Sequence, residues 1–530
     1  MGESEYIVVG GGTAGCVVAA RLAEAGAGVL LLEAGPRDSN PWIHVPAGVM
    51  FLLNNPAITL GFPTLPSPGA GGRDFVWPRG RVLGGSGSIN GMIFSRGHRA
   101  DYDGWAQAGA LGWSFEDVLP YFKSLESYAG GNAEWRGRSG PLRVEDPRLL
   151  LPLTRAFVDA AAQCGHARLD DINQPESEGV GLSQMNRLGR FRGSTARTFL
   201  KRAMGTGNIR LVTGAQVMRL TFDGTRCTGV EYELGGERHT ARAGREVVLS
   251  AGALQSPHLL QLSGIGDPVH LTGIGIEPIQ SLPGVGRNLT DHYGVRVCVR
   301  IKGARTVNEL SHMPRLAWQA VRFALFGDGA LTTGITAAMV FCRSRDGLAA
   351  PDLQLLFTPT SFDRERFGRL ETEPGASITV SASRPESRGS VLARSPDPHE
   401  LPAIAPNYLS AKQDIATLKA GMAQARRILA AQPLSGYVDH ETVPGAGLSE
   451  AELENHIRTQ GHSIFHPVGT CRMGVDPMAV VDPQLRVRGV SGLRVADASV
   501  MPAITSGNTN APTAMIAEKA AAMMLEARRA

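Results

Sequence analysis

At 530 residues the chain exceeds what one hydrophobic core usually organises, so two domains, or one large domain with an elaborate insertion, are expected. Its 43% apolar and 19% charged residues are those of a folded protein, and the net charge of +4 comes from 53 basic and 49 acidic side chains spread along the whole length. No basic stripe suited to nucleic acid stands out, and no run approaches the ~18 apolar residues of a membrane span.

The segment EYIVV at 5–9 reads as a short strand, the glycines after it as a loop, Ala14 to Ala25 as a helix and VLLLEAG at 29–35 as a second strand. Strand, loop, helix, strand is the unit of a parallel α/β sheet, because the helix carries the chain back across the sheet. From 36 to about 100 the text is rich in Gly and Pro, which predicts long loops lying close over something they must approach, such as a cofactor. Helices are predicted near 115–126 and 152–164, and strands at 211–222, 229–234 and 245–252. Between 296 and 450 clustered β-formers and a helix at about 411–430 predict an antiparallel sheet carrying helices. A last helix begins near 511; Ile516 and Met523 share one face, expected to dock on the sheet, while Lys519 and Glu526 share another.

Gly10, Gly12 and Gly15 satisfy GxGxxG between a strand and a helix, with Thr13 and Ala14 opening the helix. Such glycines let backbone N–H groups approach a pyrophosphate at the positive helix end. Glu33, followed by Ala34, closes the next strand where an acid would accept ribose hydroxyls and repel a 2′-phosphate. This loop defines a dinucleotide site and does not separate FAD from NAD.

Three further stretches are similar to the glucose-methanol-choline (GMC) oxidoreductase family. GRVLGGSGSINGM at 80–92 resembles its first signature, which passes along the flavin ring; Arg81, Gly84, Gly85, Ser86, Asn90 and Gly91 are carried over as cofactor contacts. Some members attach FAD through a His just before the Asn of this loop, where this chain has Ile89, so the resemblance implies non-covalent FAD. SAGALQSPHLLQLSGIG at 250–266 resembles the second signature and adds Ala251 and Gly252; LPGVGRNLTDH at 282–292 is another family phrase, and Val217 falls where the family contacts adenine. HSIFHPVGTCRMG, RVADASVMP and SGNTNAPTAMIAEKAA, at 462–474, 494–502 and 506–521, resemble the catalytic region. There the family's base falls on His466, its partner on Asn510 in preference to Asn508, and Asp497 and Ala498 on positions facing the ribityl and phosphate region.

The resemblance implies a Rossmann-like FAD-binding domain built from residues 1–155, 206–295 and 456–530, and a substrate domain from 156–205 and 296–455. It implies oxidation of an alcohol, expected to be primary and neutral, to an aldehyde, with electrons passed to O₂ or a quinone. Imidazole suits the proton abstraction because its pKa lies near neutrality, and Pro467 restricts His466 to extended backbone. Asn510 is expected to hydrogen-bond the developing alkoxide. Phe465 either lines the substrate pocket or fills core, His462 is a bystander, and His292 is read as structural. A flavin-containing lyase of the hydroxynitrile lyase type and a choline dehydrogenase are the alternatives. A disulfide reductase would need a second GxGxxG and a cysteine pair. The six cysteines (Cys16, Cys164, Cys227, Cys298, Cys342 and Cys471) offer no CxxC and no zinc spacing, so no metal is expected. They and the acidic start, with no leader pattern, suggest a cytoplasmic protein, with peripheral membrane attachment and homo-oligomers both admissible.

Overall fold

The computed structural model describes residues 4–334, 336–363 and 369–529. Tyr6, Ile7, Val8 and Val9 are enclosed on both faces, so Ser4–Val9 can only be an interior strand. It pairs parallel to Val29–Glu33 on one side and to Glu237–Leu249 on the other, and Ile209–Thr213 adds beyond Val29–Glu33. The helix Thr13–Glu24 makes the crossover between the first two strands. Glu237–Leu249 is long enough to serve two further neighbours: its first half pairs antiparallel with Arg226–Leu234, and Val247–Leu249 pair parallel with Leu493–Val495. The final 40 residues thereby rejoin the first strand's sheet.

The stretch expected as one strand at 211–222 is two. Gly214, at φ 76°, ends Ile209–Thr213 in the parallel sheet, and Ala215–Asp223 leaves to pair antiparallel with Arg226–Leu234. The region 36–100 is also less irregular than its Gly and Pro content suggests. It contains the hairpin Thr59–Pro63 with Val76–Gly80 and the short helices Pro41–His44 and Val49–Leu52. Two strands that carry Gly61 and Pro78 show no alternation to read.

A second sheet lies in the order Val438–Val443, Tyr293–Ile301, Gly375–Ala382, Leu353–Thr358, Ala338–Cys342 and Gly179–Leu182, all antiparallel. Alternate residues of its strands face opposite ways. Val295, Val297, Ile378, Val380, Leu355 and Phe357 point into a core closed by the helices Pro152–Gln163 and Lys412–Ala430. Arg296, Cys298, Thr379, Leu356 and Thr358 point the other way, into a cavity. His462–Ser463 extends the edge at Tyr293–Gly294 and so hangs the catalytic loop from this sheet.

The last helix, Asn510–Arg529, packs on Thr13–Glu24 and Phe115–Leu125 rather than directly on the sheet. Ile516 is buried as expected; of the polar face Glu526 is exposed, but Lys519 is buried, as is Glu518 before it. Glu518 takes Arg21 in two hydrogen bonds of 2.6 and 2.8 Å, and the Lys519 ammonium lies 4.9 Å from the Trp113 ring centroid while donating to the Gly112 carbonyl. Burial against the two helices takes Glu518 and Lys519 out of solvent, and each has an internal partner there.

Candidate active site

One cavity of about 1380 Å³ runs from the loop after the first strand to the catalytic loop on the second sheet. That exceeds the roughly 300–1,000 Å³ of an ordinary small-molecule site and leaves room for a dinucleotide and a substrate end to end. Gly10, Gly12, Thr13 and Ala14 line its first end, where the N-terminus of Thr13–Glu24 opens. Gly15 does not reach the cavity; a Cβ there would stand 1.8 Å from the Gly10 carbonyl oxygen, so its role is to let the helix start against the loop. Gly84 also lies off the cavity wall and holds the two loops together by donating its N–H to Gly11 O at 2.7 Å. Glu33 and Ala34 line the cavity beside them. The Glu33 carboxylate accepts the Gly11 and Gly35 N–H groups, both at 2.8 Å, and burial pushes its pKa up to about 7 despite those bonds. It therefore shapes the loop as well as facing the ribose position.

Arg81, Gly85, Ser86, Asn90 and Gly91 form the next stretch of wall, with Ile89 buried among them. Arg192, which the sequence reading passed over, holds this stretch from behind: its guanidinium donates to the Asn90 carbonyl and side-chain oxygen, both at 2.7 Å, and to Ile43 O at 2.8 Å. No carboxylate offsets its burial, which lowers its pKa to about 9. Val217 lies on the wall opposite. Ala251, Gly252, Asp497 and Ala498 complete it, and the Asp497 carboxylate ties the two loops by accepting Gly252 N–H at 2.9 Å, Ser256 Oγ at 2.5 Å and Ser499 N–H at 2.8 Å. A helix N-terminus, glycine-lined loops and an acid at the ribose position fit FAD: Gly10 to Ala14 would face its pyrophosphate, Glu33 its ribose, and the stretches 85–91 and 497–510 its ring system.

At the far end the protonation states follow from the hydrogen bonds. His292 Nε2 lies 3.1 Å from Ser383 O, an acceptor only, so Nε2 carries the proton. Burial lowers the His292 pKa to about 4, so the ring is neutral and its Nδ1 is a lone pair. His466 Nδ1, 3.0 Å away, must then donate to it, which leaves His466 Nε2 unprotonated. Burial, with His292 and Arg79 nearby, holds the His466 pKa well below the usual imidazole range and keeps it a free base. Asn508 Nδ2 donates to that Nε2 at 3.1 Å. This corrects the pairing expected from sequence: Asn510, two residues on, opens the last helix and accepts the Thr13 hydroxyl at 2.8 Å. Both asparagines line the cavity, but of the two it is Asn508, just before the helix, that lies within hydrogen-bond distance of the histidine. His292 likewise proves to be a positioning residue and not mere packing. The TDH phrase was the available sign, but its contact spans 174 residues.

The loop is rigidly mounted. Asp291 accepts His466 N–H and Ser463 Oγ, both at 2.6 Å, and the Tyr408 hydroxyl. Phe465 lines the cavity at φ 64°, a conformation a bulky residue adopts only where its surroundings impose it, and its carbonyl accepts from Arg79 at 3.0 Å. His462 also lines the cavity and does not touch His466 Nε2.

A dinucleotide fold joined to a neutral histidine base at the end of one cavity defines a flavin-dependent oxidoreductase. Two GMC oxidoreductase family models match residues 4–294 and 385–517, and the chain belongs to that family. It is 42% identical over 524 residues to the oxygen-dependent choline dehydrogenase of Brucella ovis, covering 98% of this chain and 95% of that protein. The namesake from Rhizobium etli is 39% identical over 526 residues, with 98% and 95% covered. Among solved structures, pyridoxine 4-oxidase from Mesorbium loti superposes with a TM-score of 0.90 at 31% identity over 99% of each chain. A formate oxidase from Aspergillus oryzae gives 0.93 at 28%, again over 99% of each. The protein is thus an FAD-dependent enzyme acting on CH–OH groups, of mixed α/β fold. No helix among the described residues is long and apolar enough to cross a membrane.

Proposed function

We propose that the protein oxidises a primary alcohol to an aldehyde, with His466 Nε2 as the base and Asn508 as the hydrogen-bond donor to the substrate oxygen. The observation that carries this reading is the chain from Ser383 O through His292 and His466, which leaves a lone pair on Nε2 with an amide beside it. A hydroxyl entering between the two side chains gives its proton to Nε2 and takes the Asn508 N–H on its oxygen, where negative charge develops. FAD, when bound, supplies the acceptor for the hydride that leaves the same carbon, and O₂ or a quinone removes the electron pair afterwards. Ile89, where attached members have His, supports non-covalent FAD. The absence of a disulfide among the described residues supports a reducing, cytoplasmic setting.

An anaerobic panel of primary alcohols tests the reading: at least one bleaches the flavin spectrum with formation of the aldehyde. Flavin that stays oxidised while a cyanohydrin is cleaved would instead establish the lyase. Acid precipitation is expected to leave the flavin in the supernatant; colour remaining in the pellet means a covalent link.

A further inference from the structure

The substrate half of the cavity contains a cation that no acid pairs with among the described residues. Arg296 sits on the cavity face of Tyr293–Ile301, beside Thr379 of the neighbouring strand. Among the described residues it forms no ion pair and no hydrogen bond; its Nε is shut off from solvent without a partner, and its guanidinium stacks 4.8 Å from the Phe362 ring centroid. Burial holds its pKa below the ordinary guanidinium value, opposed among the described residues by the Cys298 thiol. Among the described residues no acid of the same wall pairs with it: Glu371 is committed to Arg300, Glu452 to the cap of its own helix, and Asp363, beside Phe362, has an interaction of its own. Nearby charge is of the same sign: Arg296 and Arg73 both help to hold the buried His462 neutral.

A half-buried guanidinium whose Nε has no partner and whose fork faces a cavity is a ready seat for a carboxylate or phosphate. The pyrophosphate of the cofactor has its own seat at Gly10 to Ala14, on the other sheet. What remains is the substrate. Gly294 pairs with His462, and Arg296 lies two residues further along that strand, roughly 7 Å at the rise of a β-strand. Base and guanidinium thus line the same cavity, with His462 beside the guanidinium.

We propose that Arg296 receives a carboxylate, so that the substrate is a hydroxy-carboxylate whose neutral CH–OH end lies at His466 and whose anionic end lies on Arg296. This rests on the alcohol oxidation proposed above and names its substrate class. The face of Phe362 shields the guanidinium, and His462, kept neutral, is free to hydrogen-bond the same carboxylate. A trimethylammonium group, as in the choline of the relatives' names, would meet a positive charge here.

The test compares matched pairs, each an ω-hydroxy-carboxylate with the 1-alkanol of equal length and 4-(hydroxymethyl)benzoate with benzyl alcohol, alongside choline. Wild-type enzyme is expected to favour the carboxylate member by about tenfold or more in kcat/KM, the scale of one charge-assisted hydrogen-bonded pair. Butyrate and benzoate, which cannot be oxidised, are expected to inhibit competitively and perturb the flavin spectrum. Arg296→Met is expected to bring the ratio within each pair towards one, and Arg296→Lys to restore part of it. Should Arg296→Met fail to fold, wild-type preference and carboxylate inhibition still decide. Equal or better turnover of neutral alcohols or choline, with no inhibition by butyrate or benzoate, overturns the assignment while leaving alcohol oxidation standing. No bleaching by any alcohol overturns the underlying reading as well.

Discussion

The two ends of the cavity are built on opposite plans. At the nucleotide end the wall is mostly backbone: glycine loops, a helix N-terminus, and side chains such as Glu33 and Asp497 whose oxygens are spent on nearby N–H groups. At the substrate end the wall is single side chains delivered by separate strands and loops: Arg296, Thr379, His466, Asn508. A backbone cradle depends on the absence of Cβ atoms and is intolerant of any addition. A side-chain site depends on individual functional groups, which can be removed while the fold persists. The lesson is that changes at the first end should abolish binding, and changes at the second should grade the chemistry.

Gly15→Val is the sharpest way to break that contrast. With a Cβ 1.8 Å from Gly10 O, the helix cannot start where it does, and the expected outcome is loss of bound flavin or of soluble protein, read from the flavin-to-protein absorbance ratio. Normal flavin content would show that the loop yields and that the cradle is not its purpose.

His466→Ala should do the reverse, keeping FAD while lowering kcat by on the order of 10²-fold or more. In the unmodified enzyme the base is neutral well below its ordinary pKa, so protons compete for it only in more acid solution. The limb of the kcat/KM profile on the acid side is therefore expected below pH ~6.5, with activity level through neutrality. A limb at or above that value would mean the ring is not held as the Ser383, His292, His466 chain holds it.

The finest comparison is between two asparagines two residues apart. Asn508→Ala should lower kcat by about ten- to a hundredfold, as loss of a donor to developing charge does. Asn510→Ala should leave kcat within about twofold and cost only about 1 kcal/mol of stability, because it removes a neutral hydrogen bond to Thr13. Thermal unfolding beside steady-state kinetics separates the two; a larger kinetic effect at Asn510 would restore the pairing expected from sequence.

Much of the nucleotide end was legible in the sequence, because its information is local. GxGxxG followed by an acid at the end of the next strand is fixed by the geometry of one strand, loop and helix, and the stretches 80–92 and 250–266 announced themselves as glycine-rich wall. The place of His466 on the cavity wall was legible for the same reason, since it stands in a continuous phrase. What the sequence could not convey depended on which way a side chain turns or on contacts far apart in the chain. The Asn508 and Asn510 exchange turns on where the last helix begins. His292 reaches His466 across 174 residues and Arg192 supports the loop at Asn90 across 102. Arg296 looked like one arginine among many in a strand. Only the pairing of Tyr293–Ile301 with its neighbours decides that Arg296 faces the cavity while Val295 and Val297 face the core, and that no acid among the described residues pairs with the cation there.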